Sequence, residues 1–480
     1  MNHFFALLYY FGIVRLPSKR DYWLQNCEWL PSHPICQVNG MTRERFEFLW
    51  RYFHCNRSTN DDFENDDTNV DEDEDNLVDL VVERCDREQQ QEQEQEEDAI
   101  IEEDEDPSSS NGSDVWYEKI FPIVDHVRKR SMDLIYTLGT HLALDEQMIR
   151  FMGRSLETHR MKNKPIKEGF KFFVLATIQG FVVNFSPDGR TAAKSDKVDY
   201  DINNVEFGKI GSMIMYLVDS VTKLLEKQSR RVKAHCMIRK TRLQKSKDTN
   251  ENQFETEENM SKKFIIAMDN YFTRPKVIAA LSELDIGVVG TSRFTKSWPP
   301  TSLKQIKDAH FNEFFFTTDE HGTLVARWMD NGMVFCVSTV HRVGQTIKRC
   351  RRKPRVTPKN KAHVDKVWGD KGKMDIEIPR LIDDYNHWMG GVDLSDQHIS
   401  YYHPNLRCRR NWIPMFIQMM SIIRSNAYIV HKNYFKRDAL SHKIFTLEMI
   451  SCLTKRALDD KDHTTCSASQ SLVSSLTTKT

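Results

Sequence analysis

An α/β protein with its chemistry at strand ends is what the chain predicts, and three stretches predict it. Residues 141–148 form an apolar, strand-like run closed by Asp145, and Phe264 to Met268 form a second, followed directly by Asp269. The second run has the continuous apolar texture of a strand buried on both faces. The third stretch, Tyr385 to Gln397, sets Gly390 and Gly391 before Asp393 and Asp396, which on a helix lie one turn apart on one face. An acid ending a buried strand is costly unless it is paired, hydrogen-bonded or bound to a metal. Two strand-end aspartates with a third on a later helix is the layout of an RNase H-like core, used by metal-dependent nucleases and transferases. Hard Mg²⁺ prefers carboxylate oxygens and keeps positions open for phosphate and water. Taken alone, the Asp393/Asp396 pair also fits a plain acidic helix start favoured by the helix dipole. The two glycines leave room for another backbone or a ligand.

The remaining elements follow in order. Residues 1–56 read as helical and aromatic-rich, with a packed helix over Phe4 to Val14 rather than a signal peptide, since no basic leader precedes it. Met41 to Phe53 has apolar positions at helical spacing, with Thr42 as a partial cap. Residues 57–114 are acidic, Gln-rich and poor in aromatics, and are expected to be disordered because they bury too little apolar area to offset their ordering entropy. A helical lead-in over 115–137 includes Phe121 to Tyr136. The core then runs over 138–291, with strand Leu142–Ile149, a hairpin of Gly169–Thr177 and Phe181–Phe185, helix Ile210–Leu225, strand Phe264–Met268, helix Arg274–Leu284 and strand Ile286–Thr291. A polar insertion over 228–261 carries eight basic residues before an acidic run; a solvated loop is the plain reading and DNA-backbone contact the sharper one. Residues 292–376 read as a β-rich insertion domain. Residues 377–435 supply the closing helices, Pro379–Tyr402 and Trp412–Phe435, and 436–480 form a polar tail expected to be mostly disordered.

Charge narrows the function. The net charge of −1 hides an asymmetry: residues 61–106 hold 24 Asp/Glu and 2 Arg, while the rest of the chain carries 66 Lys/Arg against 45 Asp/Glu. A body that basic predicts a polyanionic partner. The acidic segment reads either as a solvated spacer or as a tethered mimic of DNA. Arg342 to Lys361 places nine Lys/Arg in twenty residues without an acid, a density that binds phosphates or stays disordered. The ten cysteines include no Cys-x-x-Cys pair, so no zinc site is expected and a reducing compartment fits. The apolar run Ile413–Ile423 is far short of the ~20 residues a membrane span needs, and no membrane partner is expected.

Several blocks together resemble the signature of piggyBac-type DNA transposases. They are Leu144-Asp145-Glu146-Gln147, Lys164-Pro165-Ile166-Lys167-Glu168-Gly169, Met268-Asp269-Asn270-Tyr271-Phe272-Thr273 and Met389 to Gln397, joined by Trp328 with Asp330 and Asn331, by Val337 with Thr339, and by Trp412 and Ser425 to Tyr428. They stand in the family's order, and the resemblance covers roughly residues 8–56 and 115–435.

The resemblance implies a DDE/D transposase that cuts and pastes DNA at TTAA sites. Catalysis would rest on Asp145, Asp269 and Asp393, holding two Mg²⁺ or Mn²⁺ ions, with Asp396 as an extra acid. Close approach of the three carboxylates is the geometric expectation. Double-stranded DNA is the implied partner, a homodimer the implied assembly and a eukaryotic nucleus the implied location. Candidate DNA contacts are Lys164, Lys171, Arg342, Lys348, Arg349, Arg351, Arg352, Lys353 and Arg355. Active family members often end in a cysteine-rich zinc module that reads transposon ends. Only Cys452 and Cys466 lie beyond residue 450 here, so a DNA-binding protein without transposition is the alternative.

Overall fold

Strand β1, His141–Arg150, is the hub of the structure, because it pairs antiparallel on one side and parallel on the other. The structure is a computed structural model, and it describes residues 1–24, 33–37, 41–55, 115–134, 139–162, 164–190, 198–201, 203–223, 264–293, 303, 310–330, 332–356, 361–404, 406 and 408–459. After β1 come β2 (His159–Arg160), β3 (Glu168–Thr177), β4 (Val182–Asp188), β5 (Phe264–Met268), β6 (Ile286–Thr291), β7 (Phe314–Thr318), β8 (Leu324–Met329), β9 (Met333–Ser338), β10 (Thr346–Arg352) and β11 (Lys373–Pro379). The first nine form one sheet in the order β2-β3-β1-β5-β6-β9-β8-β7, with β4 also on β3. β4, β3 and β1 run as an antiparallel meander, while β5 and β6 lie parallel to β1.

The stretch expected as a β-rich insertion over 292–376 holds β7 to β10. Its strands β9, β8 and β7 continue the core sheet through an antiparallel β6–β9 ladder. The basic run differs from a loop. Thr346–Arg352 is β10 and pairs with β11 in a two-stranded sheet of its own.

The helices are α1 (Asn2–Ile13), α2 (Pro34–Gln37), α3 (Arg43–Tyr52), α4 (Phe121–Asp133), α5 (208–223), α6 (Pro275–Glu283), α7 (Lys361–Trp368), α8 (Arg380–Trp388), α9 (Gly391–Tyr401), α10 (Trp412–Phe435) and α11 (His442–Asp459). The Thr42 hydroxyl accepts the Arg45 N–H at 3.2 Å and caps α3. The single helix expected over Pro379–Tyr402 is two, α8 and α9, parted at Met389 and Gly390. The expected polar tail is partly α11, which buries Leu447 and Ile450, the latter in the same apolar cluster as α1.

Alternation along the strands sorts the core into two layers. Ala143 and Ile149 of β1, with Phe170, Phe172, Val174 and Ala176 of β3, pack with α1, α3, α4, α9 and α10 on one face. Leu142, Leu144, Phe173, Leu175 and Met268 pack with α5 and α6 on the other. Each fully buried Leu or Phe contributes roughly 1.5–3 kcal/mol, so the sheet is held from both sides. By internal contacts the chain divides into one unit of Met1–Asn56 with Val115–Thr480 and a second of Arg57–Asp114. The acidic segment and the whole of the 228–261 insertion lie outside the described residues, as does the tail beyond 459.

Candidate active site

The parallel ladder between β1 and β5 ends on Leu144 opposite Met268. The next residues are Asp145 and Asp269, so the register sets them side by side. Asp145 is thus not at the end of its own strand, which continues to Arg150 against β3, but at the end of the ladder with β5. Leu144 and Met268 share the α5/α6 face, so alternation turns both aspartates to the other face.

That face is crossed by α9. A Cβ on Gly391 would stand 2.4 Å from the Thr177 carbonyl oxygen and 3.2 Å from the Ala143 Cβ. Only a glycine lets α9 start so close to β3 and β1. Gly390 has nothing within 4 Å and needs no such reason. The seat delivers Asp393, exposed, and Asp396, half-buried, to the Asp145 side of the sheet.

Local hydrogen bonds hold the two strand acids. Asp145 Oδ1 accepts the Glu146 N–H at 2.7 Å, and Asp269 Oδ1 accepts the Tyr271 N–H at 2.7 Å. The Asp269 carbonyl accepts the Thr273 hydroxyl at 2.7 Å, which closes a turn after β5. Lys164 reaches across with Nζ 3.9 Å from Asp145 Oδ2 and 3.7 Å from Glu146 Oε2.

The carboxylates feel one another. Burial pushes the Asp145 carboxyl up to about 6; Lys164 and the Glu146 N–H oppose the rise, and the charges of Glu146 and Asp269 add to it. Burial likewise pushes Asp396 up to about 7, with Asp393 and Asp145 adding to the rise. The buried Gln147 amide opposes the rise. Gln147 is itself fixed by Gln418, whose Nε2 donates to its Oε1 at 2.7 Å.

Crowded, partly desolvated carboxylates of this kind are relieved by a cation. The all-oxygen donor set fits a hard divalent ion. Among the described residues, however, no three His, Cys, Asp or Glu side chains already converge on one point. The side chains share a field without forming a closed cluster.

Other expected residues fall elsewhere. Lys171 pairs across the ladder with Met148, on the α5/α6 face. It is buried there, with Nζ 2.7 Å from Asp188. Its charge is neutralised inside the protein, which corrects the expectation of a phosphate contact. On β10, Arg349 makes a two-pronged bond to the buried Asp383 at 2.8 and 2.6 Å. Arg351 bonds Asp330 at 2.7 Å and lies over the Trp328 ring, and Lys353 bonds Asp365 at 3.0 Å. These three clip the β10/β11 sheet to α8, to the end of β8 and to α7. Lys348 and Arg352 project from the alternate positions, and they are exposed, as are Arg342 and Arg355. Neutralising Lys348 and Arg352 together is expected to flatten the salt dependence of DNA binding, lowering the slope of log K against log salt by roughly 0.9 for each phosphate left without its cation. Arg349→Gln is expected to lower the melting temperature, by stranding the Asp383 carboxylate. Binding isotherms at two salt concentrations and a thermal melt check both.

One basic site went unread in the sequence. Lys19, Arg20, Arg51 and Arg410 line a cleft of about 520 Å³ with Ser18, Glu47 and Trp50. The Arg410 guanidinium is fixed by the Trp50 and Arg51 carbonyls, and Lys19 lies 4.8 Å from the Trp50 ring centre. Among the described residues none of the four cations has a carboxylate within ion-pair distance. These residues are scattered over almost 400 positions, so no local pattern announces them.

Comparison with known proteins places this geometry. The family model described as Transposase IS4 matches residues 1–232 and 207–428. The human PiggyBac transposable element-derived protein 3 is 21% identical over 454 residues, covering 92% of this chain and 58% of its own length. The human PiggyBac transposable element-derived protein 2 is 22% identical over 292 residues, covering 60% of this chain and 40% of its own. The chain thus spans little more than half the length of the first of these relatives, and less of the second. A solved structure, the cryo-EM structure of the piggyBac transposase synaptic complex with hairpin DNA, superposes with a TM-score of 0.59 at 17% identity. It covers 98% of this chain and 75% of that one, and shows a shared fold. With the family model spanning most of its length, the chain belongs to the IS4 transposase family, in its piggyBac branch.

Proposed function

We propose that this chain is a metal-dependent DNA transposase whose core is RNase H-like, cutting and joining strands at Asp145, Asp269 and Asp393, with Asp396 as a supporting acid. The observation that carries the reading is the Leu144–Met268 pairing, which brings Asp145 and Asp269 abreast beneath the helix that bears Asp393 and Asp396. The strand order β4-β3-β1-β5-β6, antiparallel twice and then parallel twice, supports an RNase H-like core.

Asp145, Asp269 and Asp393 would hold two divalent ions, Mg²⁺ or Mn²⁺, whose chemistry is to activate water or a DNA 3′-hydroxyl and to stabilise the leaving oxygen. The chain's own residues prepare the place. β1 and β5 fix two carboxylates by register, and Gly391 sets the distance of the third. Lys164 stands beside Asp145, where it meets an incoming phosphate. The cleft of Lys19, Arg51 and Arg410 and the outer face of β10 take further phosphates of the duplex. The partners in this reading are transposon ends and a TTAA target, the assembly is a homodimer and the place of action is the nucleus.

The test uses duplexes copied from the genomic DNA that flanks the coding sequence, which should carry inverted repeats bounded by TTAA. Incubated with the full chain and Mg²⁺, they are expected to be nicked at the repeat ends and to yield hairpin products. A second reading is a DNA-binding protein derived from such an element without transposition, favoured by the names of the two human relatives. Tight binding of the same duplexes with no cleavage in Mg²⁺ or Mn²⁺ would select it.

A further inference from the structure

Helix α9, which bears Asp393 and Asp396, ends in backbone carbonyls that no later turn can satisfy. Two arginines from distant parts of the chain take them. Arg424, inside α10 and fully buried, donates to the carbonyl of Tyr402 at 2.6 Å, of Ile399 at 3.2 Å and of His398 at 3.5 Å. Arg15, just past α1, donates to the carbonyls of Ser400 at 2.8 Å and Tyr401 at 3.1 Å. Five consecutive carbonyls, 398–402, are therefore met by two guanidinium groups.

Neither arginine has a carboxylate within ion-pair distance among the described residues. Among the described residues, Arg424 is a buried cation met by carbonyl dipoles, by Tyr9 and by the Tyr402 ring, 5.7 Å away. Burial lowers it to about 10, with nearby Arg15 adding to the fall, so it stays charged at neutral pH. A buried charge without an acid is expensive. What offsets it is the negative pole of α9, since cations at a helix C-terminus are favoured by the aligned peptide dipoles. The backbone is tight here too: a Cβ on Gly12 of α1 would stand 1.9 Å from the Tyr402 carbonyl oxygen.

Helix α9 is thus pinned at both ends, by the glycine seat on Thr177 and by the arginine pair. We infer that Arg15 and Arg424 are positioning residues for Asp393 and Asp396, and that through Arg15 the N-terminal helices set how well that pair meets Asp145. The inference rests on the reading of these aspartates as a divalent-ion site. Its exposed half, Arg15, is the one that can be changed without opening the core.

The experiment measures Mn²⁺ binding to the full chain by electron paramagnetic resonance, together with thermal melting. Outer residues that orient metal ligands typically cost 10–100-fold in affinity when removed. Arg15→Ala is expected to fold and to weaken Mn²⁺ binding roughly 10-fold, the low end of that range. Arg15→Lys is expected to restore affinity to within about twofold, since an ammonium can donate to the same carbonyls. A purely structural role would lower the melting temperature of Arg15→Ala and leave Mn²⁺ affinity unchanged, which would overturn the inference. Arg424→Lys provides a second case if it folds; if it does not, the Arg15 pair decides alone. Should Asp145→Asn leave Mn²⁺ affinity untouched, the metal-site reading fails and this inference goes with it.

Discussion

Asp269→Asn is expected to abolish strand cleavage while leaving the fold and DNA binding in place. The change is close to isosteric, and the turn after β5 survives it. The Asn Oδ1 can still accept the Tyr271 N–H, and the main-chain carbonyl still accepts the Thr273 hydroxyl. What disappears is the negative charge beside Asp145. Charge stabilisation at such a site is worth several kcal/mol, and each ~1.4 kcal/mol is a factor of ten in rate. A loss of at least about 1,000-fold in nicking is therefore expected. Single-turnover cleavage and a binding isotherm on the same duplex check it. Cleavage within tenfold of the unmodified protein would remove Asp269 from the site.

Gly391→Ala should do nearly as much damage by a different route. Its new methyl would meet the Thr177 carbonyl oxygen at 2.4 Å, and that oxygen is held by the Gly180 N–H at 2.9 Å in the turn that closes β3. Overpacking of this kind costs about 1–3 kcal/mol. Helix α9 must lift from the sheet and carry Asp393 with it, and a ~1 Å misplacement of a reacting group can cost roughly 100-fold in rate. The control is next door: Gly390→Ala meets nothing within 4 Å and is expected to be nearly neutral in both assays. Comparing the two variants by melting temperature and cleavage rate separates close approach from simple loss of glycine. Equal behaviour would mean that α9 is not seated where the structure has it.

Much of the core was legible because its strands are apolar without interruption. Phe264–Met268 stands out as buried on both faces and Ile286–Thr291 as a strand after a helix, and they form β5 and β6 with those bounds. The close approach at Gly391 was visible as a pair of glycines ahead of two acids, though not which of the two needed it. Register was not legible. Lys171 lies on the far face because it stands opposite Met148, and no local pattern reports that pairing. The basic run hid β10 for a related reason. Arg349 and Arg351 sit among like charges in sequence, yet their partners Asp383 and Asp330 come from 34 and 21 residues away. Helix α11 does carry an apolar signal, in Ile444, Phe445, Leu447, Met449, Ile450 and Leu453, but the polar, Ser/Thr-rich residues that follow it set the reading of the whole segment. The mutual field of Asp145 and Asp396 is a property of burial, which no spacing of letters conveys.

The parallel pairing of β1 with β5 also sets a timetable for the chain as it is made. β1 can find β3 almost at once, through a short local connection. Its other edge must wait for a partner more than 110 residues downstream, and its α9-facing side for a helix about 250 residues downstream. At ~5–20 residues per second of synthesis, the open edge stands uncovered for roughly 6–22 s and the bare apolar face for roughly 12–50 s. The aromatic α1 and α3 wait longer still, since α10 and α11 come almost 400 residues after them. A nascent chain in that state exposes both an unpaired strand and a cluster of phenylalanines, the kind of surface that chaperones bind. Asp393 and Asp396 reach the side of the sheet that holds Asp145 only when α9 has been made, about 250 residues after β1.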